Sequence, residues 1–324
     1  MELSVIIPVH NGENYIRRCL KSVRTAVKDL DAEILVINDG STDGTNAILE
    51  DIVPKCNNIR VIPLDDRGVS CARNLGIKEA QGEYISFVDA DDIVSHNLFT
   101  RLIKTARDNN SEITGCSFFR WSNIDNVTDT LDREYMPTVY GRESYLKNEI
   151  LNSNSRCWSK VYLSSLIKPS SGEPILFDET LTVGEDMIFL TKAAMRAEKM
   201  VELKGFTGYG YYENSTGVMT RPFEMSYMDQ IKCWEMMEEY TQDLDCKVNL
   251  VIAIMLVASK IACLPSKTAA NYANCVEECH DKLKRELSDN PDIKTRLDRG
   301  YRIKTSIFKF SPKLYMFIYH IWKS

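Results

Sequence analysis

Tyr84-Ile85-Ser86-Phe87-Val88-Asp89-Ala90-Asp91-Asp92 decides how the rest of this chain is read. An apolar run of strand length ends abruptly in closely spaced carboxylates. Such a strand sets hard oxygen ligands at its C-terminal edge, and in open α/β sheets that edge is where ligands bind. Hard oxygens suit Mg2+ or Mn2+, ions that usually complete their shell with substrate phosphates. The stretch therefore points to a divalent ion holding a diphosphate. An Asp-x-Asp alone is common by chance, so its weight comes from its neighbours.

Working towards the N-terminus, three more apolar runs alternate with helical patterns. Residues 3–9 read as a buried strand. A helix follows with Tyr15, Ile16, Cys19, Leu20 and Val23 on one face. Glu33 to Ile37 is a second strand that ends at Asn38-Asp39-Gly40, and Ser41-Thr42-Asp43 caps the next helix. Ile59 to Leu64 is a third strand and Val69 to Ala80 a third helix. Beyond the acidic stretch, Ser95 to Asn109 is helical and Ile113 to Trp121 a further strand. The β-α-β-α-β-α-β order predicts a mostly parallel sheet with right-handed crossovers. Residues 122–156 read as polar and irregular. A helix is expected from Glu185 to Ala197, a helical pattern rich in Met and aliphatics from Phe223 to about Leu264, and a charged helix from Ala269 to Leu287.

Three strand ends in this order carry small, polar and acidic residues: Pro8-Val9-His10-Asn11, then Asn38-Asp39-Gly40-Ser41-Thr42-Asp43-Gly44-Thr45, then Asp89-Ala90-Asp91-Asp92. Each alone is an ordinary strand-to-helix turn. All three in one register would converge on one crevice. A nicotinamide dehydrogenase is disfavoured because no GxGxxG follows any strand. A sugar-phosphate nucleotidyltransferase would want a Gly-rich loop with Arg or Lys after the first strand, and Pro8 to Gly12 offers little of that.

The chain resembles the family 2 glycosyltransferases, nucleotide-sugar-dependent enzymes of the GT-A fold, of the kind that assemble bacterial polysaccharides. The matching segments are Ser4 to Asn11, Ile34 to Thr45, Gly68 to Ile77, Gly82 to Asp92, Trp158-Ser159-Lys160-Val161-Tyr162, Phe177-Asp178-Glu179 and Gly184-Glu185-Asp186. Their order and spacing agree over roughly residues 3–215. The resemblance implies that Pro8, Val9 and Asn11 line a nucleotide pocket and that Asp39 accepts a hydrogen bond from the base, most simply the imide N–H of uracil. It implies that Arg73 lies near the nucleotide end, Asp89 and Ala90 meet ribose or donor sugar, Asp91 holds Mn2+ or Mg2+, and Asp186 is the catalytic base. Trp158 and Lys160 would lie on the acceptor side. One departure is Tyr211-Tyr212-Glu213, since Glu213 stands where the family often has a basic residue near the diphosphate. Lys160, Arg156 or Arg221 would then supply the positive charge.

The chemistry fits that allocation. A divalent ion neutralises a nucleoside diphosphate leaving group, so no protein acid is needed. One carboxylate suffices to take the proton from an acceptor hydroxyl as it attacks the anomeric carbon, which inverts the configuration. The residues alone leave both Glu185 and Asp186 open as base, and the family pattern favours Asp186. The expected reaction moves a sugar from a nucleotide donor, expected to be a UDP-sugar, to a glycan or polyprenyl-linked glycan. A catalytically inactive nucleotide-sugar-binding scaffold is the rival of a different class, and an intact Asp91 and Asp186 speak against it.

The expected domains are 1–220 for the catalytic α/β unit, 221–300 for a helical C-terminal region and 301–324 for a tail. A net charge of −6 speaks against a general nucleic-acid binder. Residues 301–324 carry Arg302, Lys304, Lys309, Lys313 and Lys323 and no acid, which leaves −11 for the remainder. The tail is strongly aromatic but shorter in its apolar run than the roughly 20 residues a bilayer needs. Two readings stay open for it, an interfacial segment on anionic lipid or a helix packing on the protein's own surface. No secretory signal precedes Leu3, and ten scattered cysteines without a CxxC fit reduced thiols, so a cytoplasmic site is expected, peripheral to the inner face of the plasma membrane if the tail binds lipid.

Overall fold

The computed structural model describes residues 1–122, 135–152, 154–214, 221–241 and 244–323. By contacts the chain divides into two compact units, one formed by Met1–Thr180 with Glu185–Gly217 and the other by Leu181–Gly184 with Val218–Ser324.

The first unit opens with β1 (Leu3–Val9), α1 (Ile16–Ala26), β2 (Ala32–Asp39), α2 (Thr45–Ile52), β3 (Ile59–Leu64), α3 (Val69–Glu79) and β4 (Tyr84–Phe87). Every residue of β1, β2 and β4 is buried, as expected of parallel strands covered on both faces. Helix α1 buries Ile16, Cys19, Leu20 and Val23, one stripe of a 3.6-residue period. The N-cap of α2 is Gly44, without a side-chain cap, while Asp43 just before it accepts from the Thr45 N–H at 3.0 Å.

Then come β5 (Ile93–Val94), α4 (Leu98–Asn109), β6 (Ile113–Trp121), β7 (Met136–Tyr140), α5 (Arg142–Tyr145) with a π-type turn over Leu146–Ile150, β8 (Lys160–Leu163), α6 (Ser164–Ile167), α7 (Glu185–Arg196) and β9 (Met200–Tyr212). The described strands form one sheet in the order β3-β2-β1-β4-β8-β6-β9-β5, with β7 paired to β9. The pairs β1–β2, β2–β3, β1–β4 and β6–β9 are parallel, while β8 runs antiparallel to both β4 and β6. Helices flank this mixed, mostly parallel sheet, the α/β architecture expected. Residues 122–156, read as irregular, contain β7. That strand has Pro137 and mostly exposed or half-exposed residues, so it shows no burial pattern and is fixed only by pairing with β9. Residues 123–134 and 153 of that stretch, and residues 215–220, lie outside the described residues.

The order reverses at β1, which takes β2 on one side and β4 on the other. Val9 pairs with Asn38, so the ends of β1 and β2 are level. Gly40 follows at φ +64°, and a Cβ there would sit 2.8 Å from the Asp66 nitrogen. The turn after β2 thus needs glycine both for its dihedral and for its approach to the chain after β3.

The second unit is helical: a 3-10 turn at Met225–Met228, then α8 (Asp229–Thr241), α9 (Lys247–Ala262), α10 (Ser266–Ala270), α11 (Ala273–Asp289), α12 (Ile293–Arg296), α13 (Arg299–Phe310) and α14 (Pro312–Lys323). The single helical pattern read over Phe223–Leu264 is two helices. Asp245 precedes the second and accepts from the Lys247 N–H at 3.1 Å, a local turn that competes with helix continuation. The core is built from α9, ten of whose sixteen residues are buried, with Cys279 and Leu283 of α11, Phe308 of α13 and Tyr315 of α14. No helix among the described residues is long and apolar enough to cross a membrane.

Candidate active site

The turns after β1 and β2 are stitched together. The Asn11 N–H donates to Ser41 Oγ at 2.9 Å, and Asn11 Oδ1 accepts from the Thr42 N–H at 2.8 Å. Asn11 holds φ +52°, a conformation Asn tolerates better than most side chains. Pro8 and Val9 are the last two residues of β1, and both are buried. Asp39 is also buried. Its two carboxylate oxygens accept from the N–H groups of Arg67 and Gly68, each at 2.7 Å, which fastens the loop after β3. Each oxygen keeps a second lone pair for a ligand.

The acidic stretch is held from three directions. From β9, the Tyr209 hydroxyl donates to Asp92 Oδ2 at 2.6 Å and accepts from the Asp89 N–H at 3.1 Å. The Tyr212 N–H donates to Asp92 Oδ1 at 2.7 Å. Asp92 is thus the fully buried bolt of the motif, and burial beside Asp89 and Asp91 pushes its carboxyl well above the ordinary range. From α1, Arg18 Nη2 donates to the Asp91 carbonyl at 3.3 Å. Its guanidinium lies 4.8, 4.7 and 4.6 Å from the ring centroids of Tyr15, Trp121 and Tyr212. Three aromatic faces therefore fix a cation beside Asp91. Asp91 itself is half-buried, accepts from Asn214 Nδ2 at 3.3 Å, and is raised by burial. Ala90, between the two acids, is half-exposed.

From α3 comes Arg73, 3% exposed. The family resemblance placed it towards the nucleotide; here it ties three carboxylates together. Nη2 donates to Asp89 Oδ1 at 2.9 Å, and Nη1 donates to Asp186 Oδ1 at 2.8 Å and Glu185 Oε1 at 3.0 Å. Phe177 lies against the guanidinium, 5.1 Å from its centroid, and is held by reciprocal hydrogen bonds between Asn74 and the Phe177 main chain. Glu185 and Asp186 open α7, where the helix dipole favours negative charge. Asp186 also accepts from the Cys157 N–H at 3.4 Å.

The two acids that sequence left open differ in their surroundings, although both accept from Arg73 Nη1. Burial, and then the charge of Asp186, push the Glu185 carboxyl up to about 7 against the pull of Arg73. The Asp186 side chain is 21% exposed against 13% for Glu185. The same shift has a stability consequence. Glu185 ionises near 4.5 in the unfolded chain and near 7 in the folded one, so its contribution is present below about pH 4.5 and is lost as pH rises to about 7. Glu185→Gln is expected to match the parent at pH 4.5 and to exceed it at pH 8 by roughly 1–3 kcal/mol. Urea unfolding at the two pH values measures this, and an unchanged difference between them would refute it.

Two acceptor-side expectations are corrected. Lys160 is fully buried in β8, between β4 and β6, with Nζ 3.0 Å from Asn154 Oδ1 and 3.9 Å from Glu202. It lies beside a buried acid and has no solvent-exposed surface. Trp158 is stacked on Tyr209 at 4.5 Å and on Tyr211 at 5.5 Å, a wall of the site's scaffold rather than an open platform. Arg156 packs on Phe118 and Trp158, and Arg221 belongs to the second unit. Glu213 pairs with Arg120 at 3.5 Å. The cation beside Asp91 is Arg18, which sequence reading passed over. The available signal was Tyr15-x-x-Arg18, two residues three apart on one helix face.

The donor set fits a hard divalent ion. Asp89 and Asp91 offer two carboxylates, and Mg2+ or Mn2+ is commonly held by one or two of these plus phosphate. Among the described residues no group of three or more His, Cys, Asp or Glu forms a complete protein cage.

The family Glycosyl transferase family 2 matches residues 4–164. A Bacillus subtilis (strain 168) protein, "Uncharacterized glycosyltransferase EpsJ", is 28% identical over 338 residues, 95% of this chain and 92% of the relative. The poly(ribitol-phosphate) beta-N-acetylglucosaminyltransferase TarS of Staphylococcus aureus (strain Mu50) is 28% identical over 202 residues, 62% of this chain and 34% of that one. S. aureus TarS 1-349 in complex with UDP-GlcNAc has the same fold, with TM-score 0.69 at 19% identity over 100% of this chain and 92% of that one. The mannosyltransferase PcManGT from Pyrobaculum calidifontis, in complex with GDP-Man and Mn2+, gives 0.52 at 15% identity over 100% and 88%. The family match covers the strands that carry Asn11, Asp39 and Asp89 to Asp92, and with it the chain belongs to glycosyl transferase family 2, as a glycosyltransferase of GT-A fold.

Proposed function

We propose that the enzyme is inverting and moves a sugar from a UDP-linked donor to a hydroxyl of a glycan or polyprenyl-linked glycan, in cytoplasmic steps of surface polysaccharide synthesis. The observation that carries this reading is the Arg73 hub, which joins Asp89 at the end of β4 to Asp186 at the start of α7. A donor held at the acidic stretch and a base on α7 are thereby parts of one rigid unit. The UDP-GlcNAc seen with TarS and the poly(ribitol-phosphate) in that relative's name favour a UDP donor and a cell-surface glycan acceptor.

In this reading Asn11 and Asp39 hold the nucleotide, Asp39 using its spare lone pairs on the imide N–H of uracil. Asp89 and Ala90 meet the ribose and sugar. Asp91, with Asp89, would hold Mn2+ or Mg2+, which when bound offsets the charge on the departing diphosphate. Arg18 holds the Asp91 main chain in place. Asp186 Oδ accepts the acceptor's hydroxyl proton as that oxygen forms its bond to the anomeric carbon, and the bond from that carbon to the diphosphate oxygen breaks on the opposite face. Arg73 keeps Asp186 oriented while it also bonds Asp89 and Glu185.

Thermal shifts with UDP, GDP, CDP, dTDP and ADP, each with Mn2+ and with EDTA, test the donor and metal assignments. UDP with Mn2+ is expected to stabilise most, by roughly 2.7 kcal/mol at a concentration of 100 Kd. Asp91→Ala is expected to weaken UDP binding in Mn2+ by about 10–100-fold and to change little in EDTA. An unchanged Mn2+-dependent affinity in that variant would remove Asp91 as the ligand.

A further inference from the structure

Helix α14 is apolar on two sides. Tyr315 is buried against α9, where its hydroxyl shares a 2.7 Å hydrogen bond with Ser259, and Met316 and Tyr319 pack beside it. The other side is not covered within the unit. Leu314, Phe317, Ile318, Ile321 and Trp322 are all exposed. Their spacing of i, i+3, i+4, i+7 and i+8 makes one continuous stripe. Phe310, at the corner before α14, is 84% exposed.

The charge around this stripe has one sign. Residues 299–323 contain Arg299, Arg302, Lys304, Lys309, Lys313 and Lys323 and neither Asp nor Glu. On α13, Arg299, Arg302, Ile303 and Ser306 recur on one face and line an open hollow of about 550 Å3. Among the described residues neither arginine has an ion-pair partner. A stripe of Leu, Ile, Phe and Trp edged by Lys and Arg is the composition that inserts in the plane of a lipid headgroup layer. With 12 residues α14 is roughly 18 Å long, well short of a bilayer core, so it would lie in the surface. A second copy of the chain is the less suitable cover, since it would bring six more cations against the same stripe.

We propose that α13 and α14 form a docking surface for anionic phospholipid, with the stripe from Leu314 to Trp322 entering the acyl boundary and Arg299 and Arg302 meeting headgroup phosphates. This inference does not depend on the donor or the base. The test is co-sedimentation of the full chain with phosphatidylcholine vesicles, with and without phosphatidylglycerol, beside sedimentation equilibrium of the protein alone. The chain should bind the phosphatidylglycerol vesicles and release in high salt. Phe317→Glu with Ile321→Glu should weaken binding by about tenfold or more, and Arg299→Gln with Arg302→Gln should remove the preference for anionic lipid. All these side chains are exposed, so unchanged melting confirms folded variants. Absence of binding to anionic vesicles, equal binding by the Glu variant, or a dimer that the Glu variant dissolves would each overturn the proposal, the last in favour of a second copy as the cover.

Discussion

Asp186→Asn is expected to bind UDP-sugar as the parent does and to lose transfer by roughly 10²–10⁴-fold, the usual worth of a positioned base. The amide is close in size, and its oxygen still accepts from Arg73 Nη1, which now holds Asp186 at 2.8 Å. What it cannot do is take a proton. Single-turnover transfer with donor in excess reads the chemical step, and donor titration reads binding separately. A defect confined to the rate fits a base, whereas equal losses in affinity and rate fit a merely structural acid. Full transfer by Asp186→Asn would remove the assignment and return attention to Glu185.

Arg73→Met is expected to be among the most destabilising single changes in the first unit. It leaves Asp89, Glu185 and Asp186 clustered without their shared cation. Removing one partner of a buried ionic group costs about 3–5 kcal/mol, which for a domain of this size is about 2–4 °C of melting temperature per kcal/mol. The deficit has a predicted pH course. Asp89 is already raised to about 6 and Glu185 to about 7 by burial, with Arg73 opposing in both. Without that opposition their protonated forms are favoured further in the folded state. Acids raised on folding lose stability as pH rises, so the variant should fall further behind the parent between pH 5 and 8. Arg73→Lys should rescue little, because a point charge cannot serve three carboxylates as a planar fork does. A loss under about 1 kcal/mol at pH 7.5, or one independent of pH, would show that Arg73 is not the hub.

The fold was legible where local pattern and tertiary role coincide. Strands β1, β2 and β4 are apolar runs closed by Asn, Asp and Gly, and those closing residues also form the candidate site. Asp186 and Glu185 were legible because a helix start shows in sequence. Lys160 was not, because a lysine looks like a surface residue until its position between β4 and β6 is known. Its counter-charge, Glu202, lies on β9, far away in sequence. The partners of Arg73 are not legible in sequence, since its three carboxylates come from two distant elements. Arg18 was missed for a similar reason: two of its rings, Trp121 and Tyr212, come from the ends of β6 and β9. Strand β7 carries no burial alternation of its own and exists through its partner.

The bond between β9 and the acidic stretch also dates the site during synthesis. Asp92 receives Tyr209 and Tyr212, which lie 117 and 120 residues later in the chain. At about 5–20 residues per second, roughly 6–24 s pass between translation of the carboxylates and arrival of the groups that hold them. For that interval the nascent sheet has β1 to β4 but no clamp on its acidic end, and the charge itself keeps the open edge apart from other chains. The acidic stretch is therefore fixed late in synthesis, by the strand that closes the sheet rather than by the strand that bears the motif.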